Sequence, residues 1–123
     1  MQRPDGAESK VKSPAHNRRK EHDALIQKIL CALSAEGILA WENKTGEGHF
    51  RGAWIRFGLV GSADLIGCTA QGKFLAIEVK TGTGRQEPMQ SRFAKAVIDR
   101  GGHYGIARSV DEAVALVQHW QRN

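Results

Sequence analysis

The sequence holds only two cysteines, Cys31 and Cys68, with no CxxC pair and no regular spacing. One falls in a helical pattern and one in a strand pattern, so they read as buried thiols rather than as part of a zinc site. The five histidines show no metal-ligand spacing either: His16 and His22 lie in or near the N-terminal tail and the others are scattered. No stretch approaches the roughly 18 apolar residues of a membrane span. The N-terminus also lacks the apolar stretch of a signal peptide. The expectation is a soluble intracellular protein, of the cytoplasm or nucleoid, with no membrane partner. There are no internal repeats.

What is present bounds the rest. With 123 residues and 41% hydrophobic content, the chain can bury one modest core, and a second independent domain would be too small to hold itself together. The formal charge of +5 is unevenly placed: residues 1–20 carry six Lys/Arg against two Asp/Glu, and the remainder twelve against eleven. A basic tail beside a near-neutral body suits a polyanion partner held by a mobile arm, and it equally suits a solvated tail with no partner.

Residues 1–16 mix Pro4, Gly6, Ser9, Ser13 and Pro14 with charges and almost no apolar side chains. Ordering them would cost entropy without burial to offset it, so 1–16 is expected to be a disordered basic tail and 17–123 the folded domain. From about Asn17, Leu25, Ile26, Ile29, Leu30 and Leu33 recur at helical spacing until Gly37. Glu21 falls on the stripe of Leu25, Ile29 and Leu33, toward the core side. Ile38 to Asn43 reads as a strand. The glycine-rich stretch Gly46 to Gly52 reads as a mobile loop; Trp54, Arg56 and Phe57 beyond it mix cation and aromatic as a nucleic-acid contact would, with core the favoured reading of Trp54 and Phe57. Leu65 to Thr69, a turn at Ala70-Gln71-Gly72, and Lys73 to Lys80 give a β-hairpin signal. A helix is expected from about Glu87 to Arg100, with Met89, Phe93, Val97 and Ile98 on its apolar stripe and Gly101-Gly102 ending it. His103 to Arg108 is a short strand, and Ser109 caps a last helix with Val114, Leu116 and Val117 buried. The fold class is α/β, a mixed sheet flanked by helices, in the order αβββαβα.

In Phe74 to Lys80 alternate side chains face opposite sides, so Leu75, Ile77 and Val79 share one face while Glu78 and Lys80 share the other. Hairpin parity decides whether Asp64 joins them. A two-residue loop would pair Asp64 with Val79 and send its carboxylate to the wrong face. A three-residue loop, a type I turn with left-handed Gly72, pairs Thr69 with Lys73 and Asp64 with Glu78; a bulge would supply the same shift. Opposed residues have Cβ atoms about 5 Å apart, and two carboxylates that close call for a compensating cation. Lys80 supplies one charge. Mg²⁺ or Mn²⁺, held by Asp64, Glu78 and the Val79 carbonyl with waters and substrate phosphates, would supply two more. The chemistry expected is metal-assisted phosphodiester hydrolysis, with Lys80 orienting the attacking water and stabilising the charge that grows on the phosphorane. Read singly, each of these residues would be ordinary surface charge.

The Asp64 to Glu78-Val79-Lys80 arrangement resembles the PD-(D/E)XK nuclease signature. The stretch from Gly61 to about Ala107 resembles the virus-type replication-repair nuclease (VRR-NUC) domain. The shared features are Gly61, Asp64, Glu78-Val79-Lys80, a glutamine in the next helix, and Gly101-Gly102 before the strand at His103. The resemblance implies a restriction-endonuclease-like fold and a metal-dependent DNA endonuclease, with Asp64, Glu78 and Lys80 catalytic. It assigns the family's early helical glutamate to Glu21 and its helical glutamine to Gln90, with Gln86 second. The proline usual before the aspartate is Ala63 here. Compact family members act as symmetric pairs, which implies a homodimer cutting branched DNA such as a Holliday junction, in DNA repair in a phage or bacterial host. His49, Arg51, Arg56, Arg85 and Gln86 are candidate DNA contacts. Two competing readings are a nuclease-like module that binds DNA without cutting it, and an RNA-binding protein, which would lack the aromatic strand surface of common RNA modules.

Overall fold

The computed structural model describes residues 13–122. Helix α1 spans Pro14–Ala35. It begins earlier than the expected start near Asn17, because Ser13 caps it, its side chain accepting the His16 N–H at 3.0 Å. Pro14 also suits the first helical position, where an N–H would go unused. The last residues assigned to a disordered tail, and the cations Arg18, Arg19 and Lys20, therefore lie on this helix; residues 1–12 of that tail fall outside the described residues. Gly37, at φ 81°, closes α1 with Ile38 donating to the Leu33 carbonyl at 3.1 Å, a left-handed cap that glycine adopts without strain.

The strands that follow are β1 (Leu39–Glu42), β2 (Gly46–Phe50), β3 (Ala53–Phe57), β4 (Leu65–Cys68) and β5 (Phe74–Val79). Helix α2 (Pro88–Asp99), strand β6 (His103–Ala107) and helix α3 (Val110–Arg122) complete the order. One sheet has the order β1-β4-β5-β6, antiparallel except for the parallel β5–β6 pair. A mixed sheet flanked by helices is thus the architecture, as the sequence implies.

Ile26, Ile29 and Leu33 of α1 and Ala113, Val117 and Trp120 of α3 pack on Leu75, Ile77 and Val79 of β5. That leaves Ala76, Glu78 and Lys80 for the other face, where α2 lies and its Gln90 reaches Glu78. Alternation in β5 therefore separates a dry core from a polar site across the thickness of one strand.

The expected mobile loop at Gly46 to Gly52 is instead half of a β-hairpin, β2 with β3, forming a sheet of its own. The order becomes αβββββαβα. Arg51 and Gly52, at φ 52° and 81°, make a two-residue left-handed turn of the kind that suits strand twist. Trp54 and Phe57 are not core: they are 59% and 51% exposed, because this hairpin stands apart from the main sheet. Met89 and Ile98 are likewise exposed, and Ala94 and Val97 are the buried residues of α2. In α3 Val117 is buried as expected, with Ala113 and Trp120 rather than Val114 and Leu116 beside it. Of the two thiols, Cys31 is exposed and Cys68 half-buried, so neither is a buried thiol. No described helix is long and apolar enough to cross a membrane.

Candidate active site

The turn after β4 closes as an odd loop. Thr69 donates its N–H to the Lys73 carbonyl at 2.9 Å, and Gly72 donates to the Thr69 carbonyl at 2.9 Å, with Gly72 at φ 85°. The register that follows pairs Cys68 with Phe74 and Leu65 with Ile77. Continued one step, it sets Asp64 opposite Glu78, both on the face away from the core.

Each carboxylate is held by the other's backbone neighbourhood. Glu78 Oε1 accepts the Asp64 N–H at 3.2 Å, and Asp64 Oδ2 accepts the Val79 N–H at 2.9 Å. Lys80, just past the strand end, places Nζ 3.5 Å from Glu78 Oε2 and donates to Gln90 Oε1 at 3.1 Å. Gln90 Nε2 donates to Glu78 Oε2 at 2.6 Å.

The amide of Gln90 cannot turn freely, because its Oε1 also accepts the Glu87 N–H at 2.9 Å at the start of α2. A residue that caps the helix thereby presents its Nε2 to the carboxylate. The structure thus brings Asp64, Glu78, Lys80 and Gln90 together. Gln86 sits elsewhere, donating to the Tyr104 hydroxyl at 3.4 Å and accepting from Ser91 at 3.0 Å.

Glu21 is exposed on α1 and is not brought to the carboxylates. Its neighbour His22 is. His22 Nε2 lies 2.8 Å from the Val79 carbonyl oxygen and 3.3 Å from Asp64 Oδ2. The signal for it was helical spacing: His22, Ile26, Ile29 and Leu33 form the stripe that packs on the sheet.

Asn43 was also missed. Its side chain donates to Ser62 Oγ at 2.7 Å and to the Ala63 carbonyl at 2.8 Å, and its N–H to the Asp64 carbonyl at 2.7 Å. Asn43 thus ties down the approach to Asp64 where the resembling family has proline. Gly61 in that approach has φ 85°, and a Cβ there would stand 2.8 Å from the Met89 carbonyl oxygen. Glycine is what lets this loop lie against the first turn of α2.

Of the candidate nucleic-acid contacts, His49 packs edge-on against Trp54 with ring centroids 4.9 Å apart. Arg56 pairs with Glu47 at 3.2 Å. Arg51 lies over Phe50, 5.8 Å from the ring centroid. Arg85 is exposed in the loop between Lys80 and α2.

Burial above all, and then the nearby Asp64 charge, push the Glu78 carboxyl above its ordinary range, although Lys80 pulls it down. One lysine does not offset two apposed carboxylates, and that deficit fits a site built to receive a further cation. The donors available, two carboxylates and the Val79 carbonyl, are hard oxygens suited to Mg²⁺ or Mn²⁺. Among the described residues no three His, Cys, Asp or Glu side chains are grouped tightly enough to cage an ion by themselves.

The family model of the VRR-NUC domain matches residues 5–111. Among solved structures, a chain described as a VRR_NUC domain superposes with a TM-score of 0.57 at 19% sequence identity, over 80% of this chain and 96% of that one. At that identity the likeness is one of fold. No curated protein sequence matches.

Proposed function

The chain belongs to the VRR-NUC domain family, a nuclease-like domain, and we propose that it is a metal-dependent DNA endonuclease that hydrolyses phosphodiester bonds at Asp64, Glu78 and Lys80. The observation that carries the proposal is the apposition of Asp64 and Glu78 with Lys80 and Gln90 on the second carboxylate. A surface module that only bound DNA would have no use for two repelling, half-dry carboxylates beside a buried strand.

Asp64, Glu78 and the Val79 carbonyl would hold Mg²⁺ or Mn²⁺. When bound, the ion polarises the scissile phosphate and lowers the pKa of a coordinated water. Lys80 orients the attacking water and stabilises charge developing on the phosphorus-bound oxygens. Its ammonium is held for that task by Gln90 Oε1. Gln90 in turn fixes the Glu78 carboxylate against rotation. Arg51, Arg56 and His49 on the β2–β3 hairpin, with Arg85 and Gln86 nearer the site, are the proposed backbone contacts, which position the duplex without reading its sequence.

The substrate we propose is branched DNA such as a Holliday junction, cut by a homodimer. What supports a pair is the β2–β3 hairpin: Phe50, Ile55 and Phe57 share one face and all are exposed. An apolar face of that kind on a small domain is a common mark of an interface.

The test is incubation of a supercoiled plasmid and a four-way junction with Mg²⁺, Mn²⁺ or EDTA. Metal-dependent cutting that vanishes in Asp64→Ala and Lys80→Ala supports the enzyme, whereas unchanged cutting in those variants rejects the site. Binding without cutting in every metal would favour the non-cutting module. Sedimentation with junction DNA that gave only monomer would remove the paired-cut proposal.

A further inference from the structure

His22 approaches the site from the core side of the sheet, over the end of β5, where neither α2 nor Lys80 reaches. Its Nε2 faces two of the groups that the proposed function names as ion ligands: the Val79 carbonyl oxygen at 2.8 Å and the Asp64 carboxylate, with Oδ2 at 3.3 Å. Adjacent ligand atoms of an octahedral ion with bonds of about 2.1 Å stand about 3.0 Å apart. Both distances from Nε2 therefore lie close to the spacing of neighbouring corners.

Without an ion, the Nε2–H donates to the carbonyl and satisfies the electron-rich corner itself. The other ring nitrogen, Nδ1, lies 4.0 Å from the exposed Asp23 Oδ1, close enough for its charge to act but beyond hydrogen-bond reach. A carboxylate on that side favours moving the proton to Nδ1 when an ion arrives, the tautomer that leaves Nε2 free to coordinate.

We propose that His22 is a fourth protein donor to the divalent ion and biases the site toward Mn²⁺ and its first-row neighbours over Mg²⁺. The inference rests on the nuclease reading of Asp64, Glu78 and the Val79 carbonyl, and it adds a donor of different chemistry. Three oxygen donors treat Mg²⁺ and Mn²⁺ nearly alike, and Mg²⁺ prefers oxygen. An imidazole nitrogen is a good ligand for transition ions and a poor one for Mg²⁺. On ion binding the ring gives up its Nε2 proton and takes one at Nδ1 from solvent, so it coordinates through Nε2 as neutral imidazole with no net change in protonation.

The bland role for His22, a hydrogen-bonded tie between α1 and β5, makes a different prediction, and the His22→Gln substitution separates the two. A glutamine side chain at this position can still donate an amide N–H to the carbonyl but offers no ring nitrogen.

The experiment loads the full chain, without DNA, with Mn²⁺. It measures affinity from the free-ion electron paramagnetic resonance signal, Mg²⁺ affinity by competition, and nitrogen coordination from ¹⁴N modulation of the electron spin echo. The expected result is ¹⁴N modulation in the wild type that disappears in His22→Ala and His22→Gln. Both variants should lose about tenfold or more in Mn²⁺ affinity, with Mg²⁺ affinity changed by less than about threefold. Wild-type protein that binds Mn²⁺ with no ¹⁴N modulation overturns the inference and leaves the nuclease reading standing. So does a His22→Gln variant that keeps wild-type Mn²⁺ affinity. Wild-type protein that binds neither ion overturns the inference, and an Asp64→Ala variant that binds both unchanged overturns the nuclease reading itself. The wild-type spin-echo measurement needs no variant and stands even where a substitution unfolds the chain.

Discussion

Glu78 accepts the backbone N–H of Asp64 at 3.2 Å, so two carboxylates that repel each other are tied together by the strand pair that carries them. The tie holds Glu78 ready for a cation, at a cost to stability when none is bound. Burial and the Asp64 charge raise the Glu78 pKa above 4.5. Below pH of about 4.5 the group is protonated folded or unfolded, and no penalty arises. As pH rises through the elevated folded value, the unfolded chain has already lost the proton the native state retains, and stability falls. Glu78→Gln removes that penalty. We expect it to raise the Tm by a few degrees at pH 7 to 8 in metal-free buffer, to have no such effect near pH 4, and to abolish cutting. Thermal scans of both proteins across that pH range check it, and a lower Tm for Glu78→Gln at neutral pH would contradict the account.

Lys80 and Gln90 share one network but do different work, and kinetics should divide them. Lys80→Ala removes the cation aimed at the reacting phosphate, so single-turnover cutting of junction DNA should fall by about 10²- to 10³-fold with little change in DNA affinity. Gln90→Ala removes a group that only orients Glu78 and Lys80, for an expected loss of about tenfold. It also leaves the Glu87 N–H without its 2.9 Å acceptor, so α2 should be slightly destabilised as well, by about 1 kcal/mol. Equal losses in the two variants would mean that Lys80 is not at the chemistry.

Much of this site was legible in the sequence because its geometry is local. The odd loop ending in Gly72 settles which face Asp64 takes, and alternation along β5 settles the rest, so a count along fourteen residues reaches the register that, continued one step past Leu65 and Ile77, sets Asp64 opposite Glu78. Helix phase was not legible in the same way. Leu25 and Ile26 are both apolar, so one stripe through Glu21 and another through His22 fit the α1 sequence about equally well. Packing on the sheet selects the second, burying Ile26 and leaving Leu25 only half-buried. The β2–β3 hairpin was hidden for another reason. Gly46, Gly48 and Gly52 look like loop punctuation, and an arginine at φ 52° is not the Asn-Gly signature that marks such a turn. That Trp54 and Phe57 face outward follows from the hairpin leaving the main sheet, which no local pattern records.

Gly61 and Met89 give a test of how the approach loop supports the chemistry. At φ 85° an alanine at position 61 would adopt a conformation that costs about 1 to 2 kcal/mol, and its Cβ would meet the Met89 carbonyl at 2.8 Å. The relief available is a shift of the first turn of α2, which carries Gln90. Gly61→Ala should therefore lower the Tm by roughly 8 °C and slow cutting as well. Restoring stability elsewhere in the chain should not restore the rate. A variant with wild-type rate and lowered Tm would show that Gly61 serves folding alone.

Arg51 and Arg56 sit on one hairpin but in different electrostatic settings, and salt dependence should tell them apart. Arg56 is already paired with Glu47 at 3.2 Å, which also accepts from the Trp54 ring N–H at 3.3 Å. Binding a phosphate would mean breaking or sharing that pair, so its net gain on DNA is small. Arg51, at the turn, has the Phe50 ring beneath it and no acidic partner among the described residues. Each phosphate neutralised releases condensed counterions, and the slope of log affinity against log salt changes by about 0.9 per contact on duplex DNA. In Ca²⁺, which supports binding while slowing the chemistry, Arg51→Ala should reduce the slope on junction DNA by about 1, and Arg56→Ala by clearly less. Neither should move the Tm, because the hairpin forms a separate two-stranded sheet and its side chains are exposed. A slope unchanged by Arg51→Ala would take the hairpin tip off the DNA and leave its apolar face, Phe50, Ile55 and Phe57, as its remaining contact surface.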